Sequence, residues 1–206
     1  MDELTAQYYQ KNARVQADLY EQSSGPLENL LPLLFQPGQR VLDVGAGSGR
    51  DCANLVARHV DAYGIEPVAE LYQEACRRHP ELVGRVMHTT LEDYISGHQE
   101  EYDGVLLSAV LMHIPDSELR SFVPALRELL KPQGTLVVTV PVKRDDVDPS
   151  TQRDSGGRLF VLRSESEITL FLERSGFVVE SRFSSVDVLG RKHLWVTIVF
   201  TRSGES

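Results

Sequence analysis

A ten-residue segment near the start of the chain dictates much of its fold. Residues 41–50 read Val-Leu-Asp-Val-Gly-Ala-Gly-Ser-Gly-Arg, an apolar run of strand character that meets three glycines just before a helical pattern begins. Glycine at such a turn can adopt positive φ, and it lets another molecule approach the backbone closely. The segment therefore predicts a strand, a tight turn and a helix, with room for a ligand at the turn.

After residue 37 the chain alternates between strand and helix patterns. Strands are predicted at 41–44, 61–65, 85–89, 104–108 and 135–140, and the main helices at 50–59, 68–78 and 117–130. Strands joined through helices run parallel, because a helix crossover returns the chain to the same end of the sheet. The alternation therefore predicts an open, doubly wound α/β sheet.

The last third of the chain departs from this alternation. Ser164 and Glu167 form the pattern of a capping box, which predicts a helix that begins there and ends at Gly176. Strands are then predicted at 177–183 and 193–201, with no room for a crossover helix between them, so they must pair antiparallel. The expected sheet has seven strands and is mostly parallel, with one antiparallel C-terminal hairpin strand.

Size and charge narrow the class of protein. The 206 residues suit a single domain, with residues 1–36 as an N-terminal helical cap, 37–206 as the core, and a polar segment at 143–163 as a loop or lid. The net charge of −9 disfavours a nucleic-acid partner. Cys52 and Cys76 do not have the spacing of metal ligands, so we expect no metal site. Neither a signal peptide nor an apolar run of membrane-spanning length is present, so we expect a cytoplasmic protein.

Three acidic positions indicate the kind of ligand. The spacing Gly45-x-Gly47-x-Gly49 differs from the G-x-G-x-x-G of dinucleotide sites, and Asp43 before it would repel a pyrophosphate but accept a hydrogen bond from an ammonium. Glu66 ends the second strand about 20 residues beyond the turn, where an acid can accept ribose hydroxyls. Leu91 and Glu92 follow the third strand and suit an adenine.

These segments resemble the class I S-adenosylmethionine-dependent methyltransferases, in motif detail over residues 38–141 and in the order of elements over the whole chain. The resemblance implies a Rossmann-like fold, S-adenosylmethionine as cofactor and S-adenosylhomocysteine as product. The opening Tyr8-Tyr9-Gln-Lys-Asn12-Ala13 is similar to small-molecule methyltransferases in which an N-terminal helix covers the cofactor. The family resemblance further implies a set of cofactor-binding residues, namely Tyr9, Asp43, Gly45, Ala46, Gly47, Ser48, Gly49, Glu66, Pro67, Leu91, Glu92, Ser108 and Ala109.

Each of these assignments has a structural alternative. The glycines and Asp43 could form a tight turn without a ligand, and Glu66 could be an acid that complements a helix dipole. Glu92 could be a solvated carboxylate, with Asp93 as a competing candidate. The tyrosines of the first helix could simply pack against the core.

The acceptor side of the reaction carries a weaker signal. His113 lies just past the fourth strand and is the candidate catalytic residue, as a general base. Its position nevertheless favours the alternative, a packing histidine that shapes the mouth of the pocket. Basic residues in 143–163 could form a lip over the site, so that Arg153 or Arg158 would bind an anionic group of a small-molecule acceptor. The alternative is a solvated surface loop.

Two other classes of function remain open. A nicotinamide oxidoreductase is disfavoured by the glycine spacing and the reversed strand, and a non-catalytic interaction module by the intact glycine turn with Asp43 and Glu66. The residues after the fourth strand are Ser108-Ala-Val-Leu111 and not Asn/Asp-Pro-Pro-Tyr. This difference counts against methylation of nucleobase amino groups or protein glutamine.

Overall fold

The computed structural model describes residues 1–22, 27–97, 100–186 and 193–204. Its main sheet contains seven strands in the order β3-β2-β1-β4-β5-β9-β8. Their bounds are β1 Arg40–Val44, β2 Asp61–Glu66, β3 Val86–His88, β4 Tyr102–Ser108, β5 Leu130–Lys143, β8 Phe177–Val186 and β9 Leu194–Arg202. All neighbouring pairs are parallel except those that involve β9, which runs antiparallel to both β5 and β8. The predicted fold class is confirmed, including the single reversed strand.

Seven α-helices accompany the sheet in the described residues. They are α1 Glu3–Gln22, α2 Leu31–Leu34, α3 Arg50–Ala57, α4 Ala69–Arg78, α5 Leu91–Gly97, α6 Asp116–Leu129 and α7 Glu165–Arg174. Of these, α1 has 20 residues but is too polar to span a bilayer, and no other described helix reaches that length. The predicted helix break at residues 23–26 lies outside the described residues.

Two large apolar clusters lie one on each face of the sheet, and a third, smaller cluster joins α1 to α4. Leu42 and Val105 belong to the cluster that includes α6 and α7, whereas Val41 and Leu106 belong to the cluster that includes α3. Successive side chains of a strand point to opposite faces, so helices on both faces require strands that are apolar throughout. The neighbouring apolar pairs Val41-Leu42 in β1 and Val105-Leu106 in β4 supply a buried residue to each face.

Helix α7 begins as the capping box predicts. The Ser164 side chain accepts a hydrogen bond from the Glu167 backbone N–H, and the Glu167 carboxylate accepts one from the Ser164 backbone N–H. Two backbone donors of the first turn are thereby satisfied, which explains why the helix starts at this point.

Two expectations from the sequence need correction. Strand β5 begins at Leu130 and not at residue 135, because residues 130–134 join the sheet through an irregular register opposite β4. Residues 143–163 are not a plain loop, since β6 Val147–Asp148 and β7 Arg153–Asp154 form a small antiparallel hairpin within them. Local polar composition hides both features, and the pairing of Leu130 with Tyr102 is in addition distant in sequence.

The strand order places a crevice at one end of the sheet. β2 and β3 lie on one side of β1, and β4 with β5 lies on the other, so the chain reverses its winding between β1 and β4. In open α/β sheets, ligands bind outside the carboxyl ends of the strands at this point. The glycine turn, which follows β1 directly, therefore lies in the crevice.

Gly104 should be intolerant of any side chain, because a Cβ atom there would overlap with Cε1 of the buried Phe35 ring. We expect Gly104→Ala to lower the free energy of unfolding by about 1–3 kcal/mol, as overpacked core positions do. Denaturant unfolding would measure this, with Gly97→Ala as control, since a Cβ at Gly97 meets nothing within 4 Å. Equal stability of the two variants would contradict the close packing.

Candidate active site

A cavity of about 760 Å³ opens at the carboxyl ends of β1, β2 and β4, and α1 contributes to its wall. This volume lies within the range typical of small-molecule sites. The cavity is lined by nearly all of the residues that the sequence singles out, namely Tyr9, Asp43, Gly45, Ala46, Gly47, Ser48, Glu66, Pro67, Leu91, Glu92, Ser108, Ala109 and His113. The structure thus brings together residues that span more than a hundred positions of sequence.

The glycine turn forms one wall through its backbone. Gly45 and Gly47 have φ of +76° and +57°, a region that residues with a Cβ rarely adopt. The N–H groups of Gly45 and Ala46 both donate to the carbonyl of Ile65 at the end of β2, which fixes the turn against the neighbouring strand. A Cβ at Gly45 would lie 2.6 Å from the Val110 side chain.

Gly49 is the one predicted binding residue that does not line the cavity. It caps α3 with φ of +82°, and a Cβ there would lie 2.7 Å from Leu82 and 3.1 Å from Ala75. Close packing of α3 against its neighbours thus accounts for this glycine. The sequence could not separate this role from ligand binding, because both require glycine at the same turn.

Asp43 presents a buried carboxylate at the end of β1. Its residue is 1% exposed, and its Oδ1 atom has no hydrogen-bond partner in the described part of the chain. Burial raises the pKa of this carboxyl well above its usual value, and the nearby Asp51 charge raises it further. A buried acceptor without a partner is costly, so a cationic ligand group at this position would relieve the cost.

Glu66 is the second buried carboxylate of the cavity. Its oxygens accept hydrogen bonds from the backbone N–H groups of Gly47 and Val68, both at 2.8 Å. Burial raises its pKa to about 7 in spite of these two bonds. Each carboxylate oxygen has a further lone pair, so Glu66 can also accept hydrogen bonds from ligand hydroxyls.

The structure distinguishes between Glu92 and Asp93, the two acids after β3 that are candidates for contact with a ligand. Glu92 lines the cavity together with Leu91. Asp93 does not, since its carboxylate accepts a 2.8 Å hydrogen bond from the Thr90 hydroxyl at the start of α5. The position of Glu92 is therefore the one compatible with a ligand.

Helix α1 is tied to the glycine turn and to α4. The Ser48 hydroxyl donates to Glu21 at 2.7 Å, and Arg78 pairs with Asp18 at 2.6 Å. From α1, Gln16 and Tyr20 line the cavity in addition to Tyr9. Gln16 carries no sequence signal, because a glutamine in an amphipathic helix looks like any solvated residue.

His113 has both ring nitrogens engaged. Its Nδ1 lies 2.6 Å from the Leu159 carbonyl, which can only accept, so Nδ1 carries the proton. Nε2 is then an acceptor, and the Tyr9 hydroxyl donates to it at 3.0 Å. Burial lowers the pKa of His113 to about 4, so the ring is neutral at neutral pH.

The basic residues of 143–163 are paired and lie outside the cavity lining. Arg153 forms an ion pair with Asp2 at 2.9 Å, and Arg158 forms one with Asp154 at 2.6 Å. The Arg158 guanidinium also lies 4.4 Å from the centre of the Tyr8 ring. This segment therefore holds α1 and His113 in place, and the predicted basic lip is not formed in this structure.

Comparison with known proteins identifies the family. A family model described as a methyltransferase domain matches residues 15–182, which is most of the chain. The chain belongs to that methyltransferase family. Its fold and its glycine turn agree with the class I S-adenosylmethionine-dependent methyltransferases, for which S-adenosylmethionine is the methyl donor. The sequence resemblance is thereby confirmed.

Two curated relatives show how far the sequence similarity extends. The chain is 32% identical over 110 residues to protein-L-isoaspartate O-methyltransferase 1 of Cupriavidus necator, covering 52% of this chain and 39% of that protein. It is 34% identical over 113 residues to the mitochondrial ubiquinone biosynthesis O-methyltransferase of Homo sapiens, covering 52% of this chain and 29% of that protein. The matches span less than half the length of these relatives.

Solved structures show the same fold over nearly the whole chain. One is 1,6-didemethyltoxoflavin-N1-methyltransferase of Burkholderia thailandensis with bound 1,6-didemethyltoxoflavin and S-adenosylhomocysteine, with a TM-score of 0.77 at 18% identity, covering 98% of this chain and 88% of that chain. Another is the [4+2]-cyclase SpnF, with a TM-score of 0.71 at 18% identity, covering 97% and 95% of the two chains. At 18% identity these structures show only that the fold is shared. The two proteins are named for different reactions, a methyl transfer and a cyclisation, so the shared fold does not identify the reaction.

The residues present fit the cofactor of the family. The orphaned Oδ1 of Asp43 suits an ammonium group, and the left-handed glycines leave one wall free of side chains. Glu66 offers free lone pairs for hydroxyls, and Leu91 offers an apolar surface for a base. Within the described residues, no group of His, Cys, Asp or Glu side chains could hold a metal ion.

Proposed function

We propose that this protein transfers the methyl group of S-adenosylmethionine to a small-molecule acceptor. The observation that carries the proposal is the unpartnered, buried carboxylate of Asp43 beside the glycine turn, in one cavity with Glu66. A cofactor with a cationic amino-acid end and a ribose matches this pair. The pyrophosphate of a nicotinamide cofactor does not, because Asp43 would repel it.

In this proposal each part of the cavity contacts one part of the cofactor. Asp43 accepts a hydrogen bond from the ammonium group, and Glu66 accepts hydrogen bonds from the ribose hydroxyls. Leu91 and Glu92 lie beside the adenine. When bound, S-adenosylmethionine supplies a methyl group already activated by its sulfonium. The chain therefore needs no powerful catalytic group, and its contribution is to align the acceptor, exclude water and receive a proton where the acceptor loses one.

The acceptor is a small molecule because of the shape of the site. The cavity lies at the sheet end under α1, which presents Tyr9, Gln16 and Tyr20 to it. A bulky polymer would have to displace this helix and its ion pair between Asp18 and Arg78. The named relatives act on different acceptors, so their names support methyl transfer without fixing the acceptor of this chain.

Tyr9 and His113 form the best candidate for receiving a proton. Tyr9 lines the cavity, and its hydroxyl donates to Nε2 of His113, so a lone pair of the tyrosine oxygen can accept a proton from the nucleophile. Tyr9 then passes its own proton to His113. With a pKa of about 4, His113 is a weak base. It suits a nucleophile that becomes strongly acidic only as it gains the methyl group.

Tyr9→Phe tests this role directly. With an acceptor whose nucleophile bears a proton, we expect kcat to fall about 100-fold, the lower end of the range for acid–base catalysis. The ring is kept, so the Kd for S-adenosylhomocysteine should stay nearly unchanged in calorimetry. Tyr8→Phe is the matched control, because Tyr8 lies outside the cavity lining and its hydroxyl accepts a 3.1 Å hydrogen bond from Gln16. An unchanged kcat in Tyr9→Phe would assign Tyr9 to packing alone.

The function as a whole is tested by binding and turnover together. Calorimetry with S-adenosylmethionine, S-adenosylhomocysteine and NAD should detect the first two and not the third. Release of S-adenosylhomocysteine, measured across catechols, amines and thiols, should then reveal an acceptor class. Binding of NAD alone would favour an oxidoreductase. Cofactor binding with no turnover on any class would favour a non-catalytic module.

A further inference from the structure

Part of the cavity is walled by residues that the cofactor assignment does not use. We call this part the acceptor arm, and its walls are Ile114, Glu118, Phe122, Val186 and Trp195. Glu118 and Phe122 come from one face of α6, since residues four apart on a helix are neighbours. Val186 and Trp195 come from the end of the β8–β9 pair, where Leu194 faces Val186 and Trp195 faces Ser185.

The acceptor arm is apolar and aromatic with a single acidic side chain. Ile114 is buried, and the Phe122 and Trp195 rings are partly exposed to the cavity. Glu118 has a half-exposed side chain, and it is charged whereas the other four described walls of the arm are apolar. An aromatic ligand would thus find two ring surfaces with a carboxylate at the opening.

Over the described cavity lining, acidic side chains outnumber basic ones by five to one. The acids are Asp43, Asp51, Glu66, Glu92 and Glu118, and the one basic side chain is Arg50. Arg50 is bound to Asp51 at 2.9 Å and to the Tyr20 carbonyl at 2.9 Å, so it is not available to an anionic ligand. The described lining therefore offers carboxyl groups to a cation and no available basic side chain to an anion.

One positive group already lies near Glu118. The N-terminal ammonium of Met1 is 3.8 Å from the Glu118 carboxylate, beyond hydrogen-bond distance. Because this contact is long and the Glu118 side chain is half-exposed, a ligand ammonium at hydrogen-bond distance could replace it at little cost.

We propose that the methyl acceptor is an aromatic molecule that carries a protonated amino group. Its ring lies in the acceptor arm against Phe122 and Trp195, and its amino group pairs with Glu118 at the opening. This proposal rests on the proposed function and specifies the acceptor of that same site. It replaces the anionic acceptor expected from Arg153 and Arg158, which the structure pairs with acids outside the cavity lining.

Three matched probes test the proposal on the intact protein saturated with S-adenosylhomocysteine. They are 3,4-dihydroxyphenethylamine, neutral 4-ethylcatechol and 3,4-dihydroxyphenylacetate, which share a ring and differ in charge. Calorimetry at low ionic strength should give the lowest Kd for the amine, about two- to five-fold below the neutral probe, as expected for an exposed ion pair. The acid should bind more weakly than the neutral probe.

Substitution of Glu118 should change the preference and nothing else. Glu118→Gln is expected to equalise the amine and the neutral probe, and Glu118→Arg to favour the acid. Glu128→Gln is the control, because Glu128 is an exposed acid of the same helix that does not line the cavity. Unchanged melting temperature and unchanged affinity for S-adenosylhomocysteine would show that each variant is folded.

Three outcomes would overturn the proposal. These are tighter binding of the acid than of the amine, an amine preference that persists in Glu118→Gln, and no measurable binding of the amine at millimolar concentration. None of them touches the proposed function, which fails if S-adenosylmethionine and S-adenosylhomocysteine do not bind or if no acceptor class is methylated. The probe titrations and the turnover assay therefore separate the two levels.

Discussion

Gly47→Val should abolish cofactor binding while the protein stays folded. Gly47 lines the cavity, and a Cβ there would point toward the Tyr20 ring at 3.7 Å, across the space between the glycine turn and α1. A branched side chain would fill that space. We expect the affinity for S-adenosylmethionine to fall at least about 100-fold, equivalent to ~2.7 kcal/mol.

Backbone strain must be separated from occupation of the cavity in this experiment. Gly47 has φ of +57°, so valine is strained there whatever the space allows. Gly84→Val is the matched control, because Gly84 has φ of +83°, a Cβ there would meet nothing within 4 Å, and the residue does not line the cavity. The melting temperature should fall by a similar amount in both variants. Only Gly47→Val should lose cofactor binding in calorimetry. Wild-type affinity in folded Gly47→Val would remove the glycine turn from the cofactor site.

The sequence predicts those features of the fold that depend on neighbours in the chain. The strands, the helices between them and the capping box of Ser164 and Glu167 follow from local periodicity and backbone donors. The reversed strand β9 follows as well, since too few residues separate it from β8 for a crossover. The start of β5 does not follow, because residues 130–134 join the sheet only through pairing with β4.

The candidate site shows the same division. Asp43, Gly47 and Glu66 lie near the ends of consecutive strands, and the topology of a parallel sheet brings such ends together. The bond between Tyr9 and His113 joins residues 104 positions apart, so no local pattern could reveal it. The pairing of Arg153 with Asp2 is equally long in range, which is why the charge of 143–163 is a poor guide to its partners.

Asp43→Asn is expected to weaken cofactor binding about 30- to 1,000-fold, because breaking a buried charge pair typically costs ~2–4 kcal/mol. The substitution keeps the shape of the side chain and removes its charge. It should leave the melting temperature of the cofactor-free protein equal or higher, since it removes a buried carboxylate whose Oδ1 has no partner in the described residues. A lower affinity without lower stability therefore points to the ligand and not to the fold.

The dependence on pH follows from the raised pKa of Asp43. An ammonium binds the ionised carboxylate, so cofactor binding must release any proton that Asp43 holds in the free protein. Affinity should consequently rise with pH below that raised pKa, by up to about tenfold per pH unit, and level off above it. Glu66, with a pKa of about 7, contributes in the same direction if it accepts from ribose hydroxyls.

Proton release can be assigned to each acid by calorimetry in buffers of different ionisation enthalpy. At a pH below the raised pKa values of both acids, wild-type protein should release protons on binding S-adenosylmethionine. Asp43→Asn should release fewer, with the remainder due to Glu66, and Asp43→Asn/Glu66→Gln should release almost none. In the cofactor-free protein both acids have raised pKa values, so folding binds protons and stability should fall as pH rises from about 4.5 to about 7. Wild-type affinity and wild-type proton release in Asp43→Asn would exclude this carboxylate from cofactor recognition.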